Sequence, residues 1–166
     1  MKKKIAILGS TGSIGKSTLD IIRKDKKNFD VVFLSANNNY KKLIQQAKEF
    51  NVKNVLIKNT IFYERTKKSL KKCKTKVYSG NISITNIISK KLDYTMAAIV
   101  GVAGLQPTID AIKISKTVAL ANKESIICGW EILSKLIKKY KTKILPVDSE
   151  HFSIMELTKD ISDEEV

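Results

Sequence analysis

Residues 2–22, KKKIAILGSTGSIGKSTLDII, set a hydrophobic run against a glycine-rich turn that opens into an amphipathic stretch. A strand, a tight turn and a helix N-terminus form the usual start of a phosphate-binding βα unit, and two kinds of site share that outline. A nucleoside triphosphate loop reads G-x-x-x-x-G-K-[ST]. Gly15-Lys16-Ser17 supplies its ending, but the position of the first glycine is Ser10, and Gly9 comes one residue too early. What remains is Gly9-x-x-Gly12-x-x-Gly15, a stretched relative of the dinucleotide fingerprint G-x-G-x-x-G. Small residues at Ser10, Thr11 and Ser13 leave the backbone open to a pyrophosphate and add hydroxyls. An ordinary strand-to-helix turn that uses glycine for its left-handed angles is the alternative.

Beyond this unit, short apolar runs alternate with longer amphipathic ones. Strands are expected at Lys4–Leu8, Phe29–Ser35, Asn54–Ile57, Lys76–Tyr78, Tyr94–Val100, Thr117–Ala121 and Thr142–Leu145. Helices are expected at Ser13–Lys24, Tyr40–Phe50, Ile61–Lys71, Ile82–Lys90, Gly104–Ile114 and Lys123–Tyr140. Such alternation predicts an α/β fold: a Rossmann-like, doubly wound, mainly parallel sheet with helices on both faces. In such sheets ligands gather beyond the carboxyl ends of the strands. The segments following the expected strands include GSTGSIG, ANNN, GVAG, ANKES and PVDSEH, so chemistry is expected on that one edge.

The 166 residues suit one domain of ordinary size, and the net charge is +15. Of the 31 basic residues only Arg23 and Arg65 are arginines, whereas bidentate recognition of bases and phosphates favours Arg. The lysines are spread over every expected helix as solvated faces. No nucleic-acid partner is expected, although the field could attract an anionic ligand. No apolar run reaches the roughly 18 residues of a membrane span, so no membrane partner is expected. Cys73 and Cys128 are far apart and match no metal spacing. The basic start MKKKIAILG breaks at once into glycine and serine, which reads as a first strand and a cytoplasmic chain.

After the second expected strand an NAD-specific fold usually places a carboxylate for the ribose 2′-hydroxyl. Here the run is Ala36-Asn37-Asn38-Asn39, with Asp30 at the wrong end of its strand and Lys41 and Lys42 nearby. Amides can donate to a 2′-phosphate, which favours NADPH; a polar turn is the alternative. In LANKES, residues 120–125, Lys123 could neutralise a phosphate or enolate-like oxygen with Asn122 and Glu124 orienting it or the cofactor, or the motif is a helix start with a favourable Glu. In LPVDSEHFS, residues 145–153, Asp148 and Glu150 offer two hard oxygen ligands suited to Mg²⁺ or Mn²⁺. A capping box is the competing reading.

Taken in order, GSTGSIG, ANNN, AIVGVAGLQPT, ALANKES and PVDSEH resemble the 1-deoxy-D-xylulose 5-phosphate reductoisomerase family over residues 2 to 153. The resemblance implies an NADPH- and divalent-metal-dependent enzyme of the non-mevalonate isoprenoid pathway, cytoplasmic or, after loss of a transit peptide, in an organelle such as a plastid. It implies that Thr11, Gly12, Ser13 and Ile14, beside Gly9 and Ser10, line the cofactor phosphates, and that Ala36 and Asn37 to Asn39 form the adenosine-ribose corner. The family often has a basic residue in that corner, from which this chain departs. The resemblance further implies that Asn122 and Glu124 contact NADPH, that Lys123, Ser149 and Glu150 contact a phosphorylated sugar, and that Asp148 and Glu150 bind the metal. Lys123 and Glu150 are the catalytic candidates. Residues 1–147 are then expected to be the NADPH-binding domain, and 148–166 the start of a truncated catalytic domain. Such a fragment is expected to be inactive alone and homodimeric when full length. The nucleotide-binding half of another NADPH-dependent reductase, or a basic nucleic-acid-binding module, are the alternatives.

Overall fold

The computed structural model describes residues 1–147 together with Ser153 and Leu157, both helical. The elements are β1 (Lys3–Leu8), α1 (Ser13–Lys24), β2 (Phe29–Ala36), α2 (Tyr40–Glu49), β3 (Asn54–Ile57), α3 (Tyr63–Leu70) and β4 (Lys76–Ser79), followed by β5 (Leu92–Ala97), α4 (Leu105–Ile114), β6 (Ser115–Leu120), α5 (Lys123–Tyr140) and β7 (Lys143–Pro146). The strands form one seven-stranded sheet in the order β4-β3-β2-β1-β5-β6-β7. All six pairings are parallel. The order reverses at β1, whose neighbours are β2 and β5, so the doubly wound fold has its switch point beside the glycine turn.

Alternation of side chains along β1 explains why the sheet is covered on both faces. Ile5 and Ile7 join one apolar cluster with Leu19 and Ile22 of α1, Leu43 and Ala47 of α2 and Leu70 of α3. Ala6 and Leu8 join the other, with Ala111 and Ile112 of α4 and Leu133 of α5. In β2 the alternation is interrupted: Ile5 pairs with Val31 but Ala6 with Phe33, leaving Val32 as an extra residue. Val32 and Phe33 both belong to the second cluster, and Leu34 and Ala36 return to the first. This bulge reverses the phase of the strand's end and decides which side Ser35 faces.

One expected element is corrected. Residues 82–90 are not a helix; they hold a single 3₁₀ turn at Ile84–Asn86, on the crossover from β4 to β5. Ser83 accepts a hydrogen bond from the Thr85 N–H (3.1 Å), the local side-chain bond that competes with helix, and the flanking residues are largely β-branched. Ile84 is buried and Ile87 and Ile88 pack on the second cluster, so the apolar periodicity there serves docking. The strand expected to reach Val100 ends at Ala97, and Val100 is exposed. Among the described residues no helix is long and apolar enough to cross a membrane.

At the amino ends of the strands, Asp93 accepts from the Lys4 backbone N–H (2.9 Å) and from Lys116 Nζ (2.8 Å), tying β5 to β1 and β6. The Lys116 hydrogen bond and the Lys4 N–H hold its carboxyl below the usual value of 3.8. A depressed pKa adds stability that is present above the unfolded value and is lost as pH falls through the folded one. Asp93→Asn is therefore expected to flatten the acid limb of the stability profile. Urea midpoints measured from about pH 5 down to about pH 2 check this, and a variant falling as steeply as wild type would contradict it.

Candidate functional site

The turn after β1 is built by two glycines that the fold requires. Gly9 has φ +80°, a left-handed conformation, and a Cβ there would lie 2.7 Å from the Ala98 carbonyl oxygen. A Cβ on Gly15 would strike the Gly9 carbonyl oxygen and lie 2.6 Å from Ser10 Cα, so only glycine lets α1 come this close to the strand end. Gly12 is different. Its φ is −73°, it is exposed, and a Cβ would meet nothing nearer than Gly9 O at 3.4 Å. The turn is closed by the Gly12 N–H to Gly9 O (3.1 Å).

Buried hydrogen bonds anchor this turn to the neighbouring strand and helix. Ser35 Oγ accepts from the Gly9 N–H (3.1 Å), and Ser35 O accepts from the Ser10 N–H (2.9 Å). The Ser10 hydroxyl donates to Gln46 Oε1 (2.8 Å), with Ser35 O at 3.3 Å, while Gln46 Nε2 donates to Ser10 O (2.9 Å). Ser10 and Gln46 are 0% and 3% exposed. The Ser10 hydroxyl, expected to add a bond to a ligand, is thus turned into the protein, and its part is to hold the turn. Gln46 was missed in the sequence reading; a lone Gln on an amphipathic helix carries no signal until the fold aims it at the turn.

Above this lock, α1 begins with no side-chain cap and no acidic residue in its first turn. The first-turn amides of Ser13, Ile14 and Gly15 therefore lie at the positive end of a helix dipole, without the carboxylate or hydroxyl that usually satisfies such groups. Ser13 and Ile14 are exposed and Thr11 is half-buried. By contrast α2 and α5 are capped by Asn39 and Asn122.

The second corner joins the ends of β2 and β3. Lys58 N–H donates to Ala36 O (2.8 Å) and Asn59 N–H to Asn37 O (3.1 Å). Asn59 Nδ2 donates to Asn38 Oδ1 (3.0 Å), Asn59 Oδ1 accepts from the Ile61 N–H (3.1 Å), and Asn39 Oδ1 accepts from the Lys42 N–H (3.1 Å). Asn37, Asn38 and Asn39 are exposed, whereas the Ala36 methyl is buried in the first cluster. Tyr40 and Phe62 stack between the same segments, with ring centroids 4.8 Å apart. Asn59 was also missed, although an Asn closing a strand just before a turn is a capping signal.

The third group follows β5 and β6. Asn122, expected to contact the cofactor, is 2% exposed. Its Oδ1 accepts from the Ser125 N–H (2.8 Å) and its Nδ2 donates to Gly101 O (2.8 Å) and to Ile99 O. Its side chain thus braces the loop after β5 against the start of α5. Lys123 is exposed and Glu124 half-buried beside it. The Val147 N–H still bonds Leu120 O (3.0 Å), which keeps the chain beside β6 past the end of β7. Asp148, Ser149 and Glu150 lie outside the described residues. Because every strand runs the same way, the glycine turn, the Asn corner and Asn122–Glu124 share one sheet edge. A concavity of about 800 Å³ opens elsewhere, between α3 and β4, lined by Lys67, Lys68, Lys71, Cys73 and Lys76; none of the strand-end motifs borders it.

These features define a Rossmann-like α/β domain, doubly wound about β1, with its polar loops gathered at the strand carboxyl ends. The family model described as 1-deoxy-D-xylulose 5-phosphate reductoisomerase matches residues 5–129, and the chain belongs to that family. A relative of that name from Pelagibacter ubique is 56% identical over 157 residues, covering 93% of this chain and 40% of its own length. One from Phocaeicola vulgatus is 44% identical, covering 94% of this chain and 41% of its own. Among solved structures, the reductoisomerase from Zymomonas mobilis in complex with NADPH matches with TM-score 0.86 and 39% identity over 91% of this chain and 40% of that one. A DOX-P reductoisomerase in complex with magnesium matches with TM-score 0.84 and 36% identity, covering 91% of this chain and 38% of that one. The chain thus spans about 40% of the length of the curated relatives it matches.

If the Gln46 lock holds the glycine turn, Gln46→Leu should orphan the buried Ser10 carbonyl, leave the Ser10 hydroxyl only its longer bond to Ser35 O, and lower stability by about 2 kcal/mol. Urea denaturation measures this. A change within about 0.5 kcal/mol, as at an ordinary surface position, would contradict it.

Proposed function

We propose that this chain is the NADPH-holding part of a 1-deoxy-D-xylulose 5-phosphate reductoisomerase, an enzyme that converts 1-deoxy-D-xylulose 5-phosphate to 2-C-methyl-D-erythritol 4-phosphate. The observation that carries the reading is Gly12. The fold leaves room for a side chain there, yet the residue is glycine and stands over the uncapped amides of α1. A pyrophosphate is the ligand that needs both the close backbone approach and the free N–H groups. The relatives solved with NADPH and with magnesium support the same assignment.

On this reading Thr11, Gly12, Ser13 and Ile14 receive the phosphates, and Gly9 and Ser10 keep the turn in shape. Asn37, Asn38 and Asn39, on the backbone of Ala36, receive the adenosine ribose. Asn122 fixes the loop over which the nicotinamide end lies, and Glu124 stands at the head of α5 to orient it. Lys123, exposed and cationic, meets the phosphorylated sugar together with Ser149 and Glu150. The bound NADPH supplies the hydride for the reduction. Asp148 and Glu150 are a hard-oxygen donor pair that fits Mg²⁺ or Mn²⁺, which supplies Lewis-acid polarisation and templating for the rearrangement. On the same reading the full-length form is a homodimer, in the cytoplasm or in an organelle such as a plastid.

Calorimetric titration of this chain with NADPH and NADH tests the assignment. NADPH is expected to bind the more tightly, and Gly12→Val to weaken binding at least about tenfold by blocking the pyrophosphate, while stability moves by no more than about 1 kcal/mol. Equal binding of the two cofactors, or unimpaired binding by the variant, would overturn the reading.

A further inference from the structure

The run Asn37 to Asn39 contains neither a carboxylate nor a basic residue. Its selectivity then depends on which atoms its amides turn outward. A ribose 2′-hydroxyl both donates and accepts and is usually met by a carboxylate acceptor, whereas a 2′-phosphate only accepts and is met by donors.

The hydrogen bonds of the corner fix that orientation, starting from a backbone group that can only donate. The Ile61 N–H points at Asn59 Oδ1 (3.1 Å), so the other end of the Asn59 amide must be its NH₂ group. That group donates to Asn38 Oδ1 (3.0 Å), which turns the Asn38 NH₂ group away from Asn59, where it has no acceptor among the described residues. Asn39 Oδ1 is likewise engaged, by the Lys42 N–H (3.1 Å). Both carbonyl oxygens are thus occupied by the protein and both NH₂ groups are left for a ligand. Lys41, Lys42 and Lys58 are exposed next to these asparagines in the chain, and no Asp or Glu occurs between residues 31 and 48 or between 50 and 63.

We infer that Asn59, through its hydrogen bond to Asn38, is a positioning residue for cofactor selectivity that turns the Asn38 amide donor-outward, toward a 2′-phosphate. The inference rests on the NADPH reading above. Asn59 itself need not touch the ligand; it acts by holding the Asn38 amide the right way round. The two loops are joined independently of its side chain, by the backbone bonds of Lys58 and Asn59 and by the Tyr40–Phe62 stack, so substitutions there leave the corner assembled.

Two variants separate orientation from charge. Asn59→Asp keeps an acceptor for the Ile61 N–H but can no longer donate to Asn38, whose amide then turns its oxygen outward. Asn59→Ser also keeps a capping oxygen, is neutral, and is too short to reach Asn38. Calorimetric titration of the 166-residue chain and both variants with NADPH and NADH gives the affinity ratio, and far-ultraviolet circular dichroism checks folding. The ratio is expected to fall about tenfold or more in Asn59→Asp and about threefold in Asn59→Ser, with NADH affinity changed less than about twofold. A wild-type preference for NADPH with an unchanged ratio in Asn59→Ser would overturn the inference while leaving the cofactor reading standing. No preference in the wild-type chain would overturn both.

Discussion

The paired hydrogen bonds between Gln46 of α2 and Ser10 are the contact on which the proposed site depends. A glycine-rich turn has little side-chain packing of its own, and its backbone groups must be satisfied by something. Here Ser35 takes the N–H groups of Gly9 and Ser10, and Gln46 takes the Ser10 carbonyl and hydroxyl. The same helix that carries Gln46 is capped by Asn39, so one rigid element links the glycine turn to the Asn corner. A change in the pitch of α2 would move both together. Gly15 completes the constraint by letting α1 seat against the turn, with its first-turn amides left without a side-chain cap.

Much of this was legible in the amino-acid sequence, for reasons that differ by element. The bounds of α1 and α5 agree with expectation because glycine and asparagine punctuate their starts and the apolar period is clear. The short strand Asn54–Ile57 is also where the sequence placed it. The stretch 82–90 has helical spacing but too little length and too many β-branched residues, and tertiary docking of its isoleucines decides its form. The bulge at Val32 is hidden inside the continuous apolar run FDVVFLSA, where a shift of phase leaves no mark. Gln46 and Asn59 escape a linear reading because their meaning lies in partners 36 and 21 residues away.

Side chains expected to face a ligand divide into two groups in the structure. Ser10 and Asn122 point into the protein and brace loops, each with its polar atoms engaged. Thr11 to Ile14 and Asn37 to Asn39 stay open at the edge. A motif read from sequence therefore mixes residues left open at the sheet edge with residues that hold the first group in place, and burial separates the two. The mixture also explains why glycine at position 12 is informative where glycine at 9 and 15 is not: only the first is left unexplained by the protein's own packing.

Amide-resolved titration of the isotopically labelled chain with NADPH would locate the ligand directly. Saturable shifts should concentrate on the backbone N–H groups of Gly12 to Gly15 and on the Asn38 side-chain NH₂ group. Shifts confined instead to the lysine-lined groove between α3 and β4 would contradict a cofactor seat at the carboxyl edge of the sheet.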